Sequence, residues 1–564
     1  ITALGFGGDV AINLTGAVSA AQDTAVTIQS AGDVTVAIGA AGSVTGAIDG
    51  IETDAEGTTT ITNRGTLNTG SGHAIVVAGG PAVVANAGTI NGRVLLSAGD
   101  DRFTNTGLFR ASAGSDFGAG SDVFTNTGTL LVDAPGTAPL SVTFNGLEAF
   151  ANSGLVDMRN GTVGDQLTLP GSFTGSGASR LGLDLTSSAA GVMTADRLNV
   201  GTAAGSTQIQ LDLGGTVYVT PGLTLVQASA ASSPTAVTLA PNLADVGFVA
   251  LDLVYRPTTF AYQLVGTPGA GAYRAAKALE GAQSLWYRSA DAVTAHLTAV
   301  RDGRFSNAAN SGGFWLQMSG GVDKRDETRA VRQFGIARSY NLDYRQDYFG
   351  GQFGFDIGTM GEKGGVVFDY DGLNLGAYAS LQAGGFFANA LVKYDHYWID
   401  AHGGSTGYKD GLGGNAIGAQ AEAGFRFGST GFFAEPLASI AYVRTSLDDL
   451  EALGQVLDYD RADGLRGKAG LRIGGTRAIG GGNMLTFYAS GMAVKEFKGR
   501  DGATFVSGPY SLALGNRRIG TYGQGTLGLN VTTPGGISGF IEGTLDASGD
   551  YSGAGGRAGI KIPF

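Results

Sequence analysis

The chain has 564 residues, 36 Lys and Arg against 48 Asp and Glu, and no cysteine. That length exceeds what one hydrophobic core usually serves, so two or more structural units are expected. The lack of cysteine excludes disulfides, thiolate metal sites and cysteine nucleophiles. Composition divides the chain near residue 270: lysine is absent before Lys277, and Trp286, Trp315 and Trp398 all follow it. Residues 1–270 hold 8 Arg against 20 acidic residues, which places the whole charge of −12 there and leaves the remainder neutral. An acidic, lysine-free half cannot gather phosphate contacts, so nucleic-acid binding is rejected. No apolar run reaches the roughly 18 residues of a membrane helix. The start at Ile1 has no basic segment followed by an apolar one, which reads as a processed or truncated chain whose signal peptide and upstream segments are missing.

The first half is a repeat. Asn-x-Gly followed closely by an apolar residue recurs at Asn63, Asn86, Asn105, Asn126 and Asn152, spacings close to the roughly 20-residue period of solenoids. Each period holds two or three short strands that cannot bury an apolar face alone, and stacking the coils provides the missing surface. The tightest pair is Gly-x-Asp-x-Phe-Thr-Asn-Thr-Gly at Gly99–Gly107 and again at Gly120–Gly128. The offset predicts Phe103 beneath Phe124 as an interior aromatic stack, and Asn105 beneath Asn126 as an asparagine ladder. Calcium at Asp101 and Asp122 is the functional alternative. The Gly-Gly-x-Gly-x-Asp phrase it needs is absent, and turn capping by each aspartate on its own backbone is preferred. Residues 178–265 alternate clearly, are nearly free of the Asn-x-Gly phrase, and contain Asp196, Arg197 and Leu198 in succession.

From Ala272 to Arg301 the apolar spacing becomes helical, with Ala275, Ala278, Leu279, Ala282, Leu285 and Trp286 recurring at the helix period and no proline between Pro268 and Pro436. The small residues Ala275, Ala278 and Ala282 leave one face narrow enough for a barrel lumen.

Beyond Gly313 the pattern is that of transmembrane strands, about ten residues alternating apolar-out and polar-in. Between Ile417 and Phe427 the odd positions are apolar, and the even ones include Gln420, Glu422 and Arg426. Leu465–Ile473 intersperses Arg466, Lys468 and Arg472, and residues 432–442 place Glu435 inward. Twelve strands are predicted, near 314–323, 347–358, 364–371, 373–383, 385–400, 415–428, 431–445, 465–477, 484–497, 518–531, 537–547 and 555–564. Short turns such as Gly428–Gly431 alternate with longer polar stretches such as 446–464. In the last strand Ala558, Ile560, Ile562 and Phe564 share one face, opposite Arg557 and Lys561.

These features together resemble a classical autotransporter of Gram-negative bacteria. The phrases that carry the likeness are LNLGAYAS at 373–380, AEAGFRF at 421–427, FFAEPLASIAY at 432–442 and Gly-Gly-Arg-x-Gly from Gly555 to Gly559. The resemblance implies an all-β protein. Its parts are a parallel, right-handed β-helix passenger over 1–177, last passenger coils acting as a folding seed over 178–268, a lumen helix and linker over 269–312, and a 12-stranded antiparallel outer-membrane barrel over 313–564. Asp196-Arg197-Leu198 looks like the phrase such passengers carry shortly before the barrel. A terminal Phe564 on the lipid face, with Ile560 and Ile562, looks like the signal read by the barrel assembly machinery, although Pro563 departs from the usual penultimate residue.

The partners implied are outer-membrane lipid, that machinery during biogenesis, and a host or cell-surface ligand of the passenger. No cofactor or metal is expected. Some autotransporters cut themselves between two asparagines in the lumen helix, but residues 272–301 hold none and the nearest are Asn307 and Asn310. Catalysis finds little support. Of the four histidines, His73 alone lies in the passenger, near Ser71, and the one Gly-x-Ser-x-Gly phrase, around Ser405, falls in a predicted barrel loop. Three readings remain: a secretion and display module, a passenger that is itself an adhesin or self-association surface, and a passive pore, against which the lumen helix argues.

Overall fold

The structure is a computed structural model that describes every residue except 135, 137, 306–312, 353–355, 362–365, 404–408, 429–430, 499–501 and 564. Contacts divide it into Ile1–Thr267 and Pro268–Phe564.

The first unit is a parallel β-solenoid with three short strands per coil. Ile75–Gly79, Ala82–Asn86 and Thr89–Asn91 lie in register on Ile51–Ala55, Thr59–Asn63 and Thr66–Thr69 of the coil before. Period-two alternation sends Ile51, Ile61, Leu67, Ile75, Val84 and Ile90 into the interior. The Asn-x-Gly phrase has two physical causes. Each buried asparagine donates through Nδ2 to Oδ1 of the next, Asn63 to Asn86, Asn86 to Asn105, Asn105 to Asn126 and Asn126 to Asn152, every link 2.8 Å long. The glycine two residues later sits where successive coils touch. A Cβ on Gly88, Gly107, Gly128 or Gly154 would lie 2.1–2.2 Å from the carbonyl oxygen of the glycine below. Phe103 stacks on Phe124 at 4.6 Å between ring centroids, and Phe150 and Phe173 continue the column at 5.0 and 5.7 Å. The column closes at Thr220–Ala228, which adds in parallel to the preceding coil and is then paired antiparallel by Ala261–Pro268.

The aspartates act differently from the expectation. Asp101 and Asp122 cap backbone of the neighbouring coil: Asp101 Oδ1 accepts from Ala82 N at 2.6 Å and Asp122 Oδ1 from Asp101 N at 2.7 Å. Only the Ser97 contacts of Asp101 lie within its own coil.

In the second unit, among the described residues, twelve antiparallel strands form a closed ring: Gly313–Arg325, Tyr344–Gln352, Asp356–Gly361, Val366–Ala383, Phe386–Gly403, Lys409–Phe425, Phe433–Leu447, Ala462–Gly480, Asn483–Lys498, Thr521–Thr532, Ser538–Ala547 and Tyr551–Pro563. The last pairs with the first. Two predicted boundaries are corrected. The expected break at Asp371-Gly372 lies inside one continuous strand, where Gly372 faces Tyr397 and leaves the room its ring takes, a Cβ there meeting Tyr397 Cδ1 at 3.1 Å. The expected strand 347–358 is instead divided between the second and third strands. The stretch 446–464 is not simply a polar loop: Leu450–Ala452 and Gln455–Tyr459 join Gly502–Ser507 and Tyr510–Gly515 in a four-stranded sheet. The single predicted helix is two, Ala270–Ala275 and Ala278–Phe305, interrupted at Ala276-Lys277.

Candidate functional site

The site is the barrel lumen and the helix that fills it. Strand alternation makes the lumen polar and the outside apolar. Ile417, Phe425, Phe427, Phe432, Ile440 and Ile473 are exposed on the outer surface, as are Ile560 and Ile562, whereas Glu422, Arg426, Glu435, Arg466 and Arg472 are buried inside. Lys468, from the same inward row, is nearly buried. Phe564 lies outside the described residues, as do Ser405, Asn307 and Asn310.

Ala275, Ala278, Ala282 and Trp286 are all fully buried. Ala275 belongs to the first, short helix, and its carbonyl accepts from the Tyr459 hydroxyl at 2.8 Å. Trp286 is seated against Gly418, where a Cβ would come within 2.5 Å of its ring. Its Nε1 donates to the Lys393 carbonyl at 3.4 Å, and the Lys393 ammonium lies 5.1 Å from the ring centroid. The narrow alanine face is therefore only part of the fit, because strands surround the helix and it buries residues on every side.

What the sequence did not single out is the charge on the helix. Glu280, Arg288, Asp291, Arg301 and Asp302 are buried, and each meets an opposite charge on the wall. Asp291 takes Arg466 at 2.9 Å and Lys468 at 2.7 Å. Asp302 takes Arg472 at 2.6 Å and Arg426. Arg301 reaches Glu435 at 3.2 Å and Glu422 at 3.5 Å, Arg288 pairs with Asp323 and Asp546 at 2.5 and 2.7 Å, and Glu280 pairs with Arg325. A charge buried without a partner is far costlier than one paired and hydrogen-bonded. Every lumen charge named from the sequence thus has its counter-charge on the plug or on an adjacent strand. The signal that could have exposed this was the helix itself: charges of both signs recur along it beside its alanine and leucine positions, which suits a polar cavity better than a soluble core.

In the passenger, the Ser71 hydroxyl donates to the Ala47 carbonyl at 3.2 Å, and His73 Nδ1 lies 3.5 Å from Asp49. Burial lowers the His73 pKa. Among the described residues no group of three or more His, Asp or Glu is placed to hold a metal ion.

Residues 314–544 match the family model of the autotransporter β-domain. The chain is similar to the BrkA autotransporter of Bordetella pertussis, 29% identical over 317 residues, which covers 51% of this chain. The match takes in 30% of that relative's length. Among solved structures it is similar to the β-domain of the Bordetella autotransporter BrkA (21% identity, TM-score 0.33, 45% of this chain and 100% of that one). The translocator domain of NalP from Neisseria meningitidis gives 16% identity and a TM-score of 0.35, over 49% of this chain and 98% of that one. The family match over the plugged twelve-stranded ring assigns residues 314–544 to the autotransporter β-domain, an outer-membrane β-barrel, in a chain whose first unit is a β-solenoid.

Proposed function

We infer that the barrel supports export of its own β-helix, and that the two then remain one polypeptide, with the β-helix held at the cell surface as a fixed, non-catalytic stalk. The observation that supports retention is the ionic seating of the helix. Withdrawing it would leave Arg466, Lys468, Arg426 and Arg472 without the carboxylates of Asp291 and Asp302, at roughly 3–5 kcal/mol for each buried pair broken. The absence of asparagine from 272–301 points the same way. The apolar outer belt is the surface that would meet lipid, and the passenger flanks are where a host or cell-surface ligand would be engaged.

Protease added to intact cells should digest 1–265 and spare most of 313–564, and purified membranes should yield one species carrying both halves. A natural chain terminus between Ala272 and Gly313 would refute retention. A passenger digested only after membrane rupture would reverse the topology.

A further inference from the structure

The ring closes where its first strand, Gly313–Arg325, meets its last, Tyr551–Pro563. Every other neighbouring pair is consecutive in sequence, so this seam alone joins segments more than 200 residues apart and carries the loop-closure entropy of the whole barrel. Midway along it, three of four successive pairs lack a side chain on one strand or both. Gly320 lies opposite Gly556, Gly321 opposite Gly555, and Asp323 opposite Gly553. Cross-strand side-chain pairs contribute roughly 0.2–1 kcal/mol each elsewhere in sheets, and glycines contribute none while costing more backbone entropy.

One stripe of the helix runs along this stretch. Glu280 bonds to Arg325. Ser284 Oγ donates to Asp323 Oδ2 at 3.4 Å. Arg288 Nη2 donates to Asp323 Oδ1 at 2.5 Å and to the Tyr551 phenol oxygen at 2.6 Å. The Asp291 carbonyl accepts from Arg557 at 3.2 Å. Steps of four, four and three residues stay on one face of an α-helix. Asp323 and Arg325 belong to the first strand, Tyr551 and Arg557 to the last. The Tyr551 hydroxyl also donates to Asp323 at 3.0 Å, so Arg288, Asp323 and Tyr551 form a triangle across the seam. The bare backbone makes room for it: a Cβ on Gly553 would lie 3.1 Å from Arg288 Nη2. Tyr348, whose ring lies 5.5 Å from the Arg288 guanidinium, rests its hydroxyl against both Gly321 and Gly555.

We propose that the lumen helix is the clasp of the barrel: Arg288 ties the first strand to the last across a glycine seam, so that seating the helix and closing the ring are one coupled step. Arg288 is a positioning residue in this scheme, acting through the strands it joins. The proposal rests on the outer-membrane barrel reading but not on passenger retention.

The native chain has no cysteine, so a pair introduced at V322C and A554C, directly opposite across the seam, is the only disulfide that can form. The full chain is assembled in outer membranes, and loss of the folded, fast-migrating species on heating is timed with this lock oxidised and reduced. R288Q is compared with D302N, whose partners Arg426 and Arg472 lie away from the seam. With the lock reduced, R288Q should open about tenfold faster than the parent, a fraction of the cost of stripping a buried pair. With the lock oxidised it should return to within about twofold of the locked parent, while D302N stays accelerated in both states. R288K, which keeps the charge but cannot span Asp323, Asp546 and Tyr551 together, carries the same comparison should R288Q not assemble. Equal acceleration of the Arg288 variant with and without the lock, or none in either state, overturns the clasp. Arrival of the parent chain in the outer membrane, scored on the same gels, tests the underlying reading separately.

Discussion

Replacing Asn126 with alanine should weaken the passenger more than its one-residue scale suggests. Asn126 accepts from Asn105 Nδ2 at 2.8 Å and donates to Asn152 Oδ1 at 2.8 Å and to the Leu155 carbonyl at 3.1 Å. Asn105 keeps its second acceptor, the Thr129 carbonyl at 3.0 Å. The buried Asn152 Oδ1 and the Leu155 carbonyl each lose the Asn126 donor, and such groups cost about 1–3 kcal/mol apiece when left unsatisfied. The expected loss is therefore roughly 3–5 kcal/mol once the vacated volume is included. In a stack of coils that contact only their neighbours the damage should stay near the substituted coil. Hydrogen exchange on the full chain in micelles should show faster exchange at Gly128 and Gly154, whose amides bond to the Asn105 and Asn126 carbonyls. Asn68, which is half-buried and bonded to Asn91 at 2.7 Å and Thr45 at 3.3 Å, is the control; alanine there should cost about 1 kcal/mol. Equal effects of the two substitutions would show that the buried ladder contributes no more than a surface contact.

Acidification should stabilise the passenger. Burial pushes Asp196 up to about 7 and Asp122 to about 6, in Asp196 outweighing the amides of Gly164, Asp165 and Asp184 that favour its charged form. Between the unfolded value of 3.8 and the folded value the native chain holds a proton that the unfolded chain has released. Stability from Asp196 is thus full below pH 4 and is lost as pH rises toward 7, which melting of the solenoid at pH 5 and 7.5 would check; a higher melting temperature at 7.5 contradicts it. In the barrel, D291N leaves Arg466 and Lys468 without their carboxylate, so the plug should loosen by about 3–5 kcal/mol and planar-bilayer recordings should show more frequent opening than the parent. G418A puts a methyl 2.4 Å from the Tyr442 carbonyl and 2.5 Å from Trp286; assembled yield should fall, and an unchanged yield would mean that the indole is not seated there.

Periodicity was readable wherever one face of an element meets one environment. Ile417–Phe427 meets lipid on one side and the lumen on the other, so its alternation gave strand and orientation together. The Asn-x-Gly phrase gave the coil length because its two residues serve two strict local needs, an amide chain and a close approach of backbones. The helix was harder to read, since a segment enclosed on all sides has no solvent face and its charges carry no periodic signature. The partner of Asp291 lies 175 residues away at Arg466, and that of Arg288 258 residues away at Asp546, pairings that no local spacing encodes. Asp371-Gly372 was misread for a related reason: the dipeptide is a common turn signal, but here the glycine accommodates Tyr397 of the next strand.

The two halves hold their carboxylates differently. In the solenoid the partner is usually a backbone amide of an adjacent coil: Asp9 accepts from Asp33 N, Asp33 from Thr58 N, Asp49 from His73 N, Glu148 from Asp122 N and Asp165 from Leu140 N. Stacked coils present one such amide per turn at the same place, so a carboxylate is held without a cation and the passenger needs no lysine. In the lumen the wall strands already use their amides on one another, and a charged side chain pointing inward has to find a side chain of opposite sign. The helix supplies many of these. A carboxylate capped by amides ties coil to coil, whereas a carboxylate paired with a cation from another element ties that element to the wall. The same residue type therefore stiffens the passenger and makes the barrel depend on its plug.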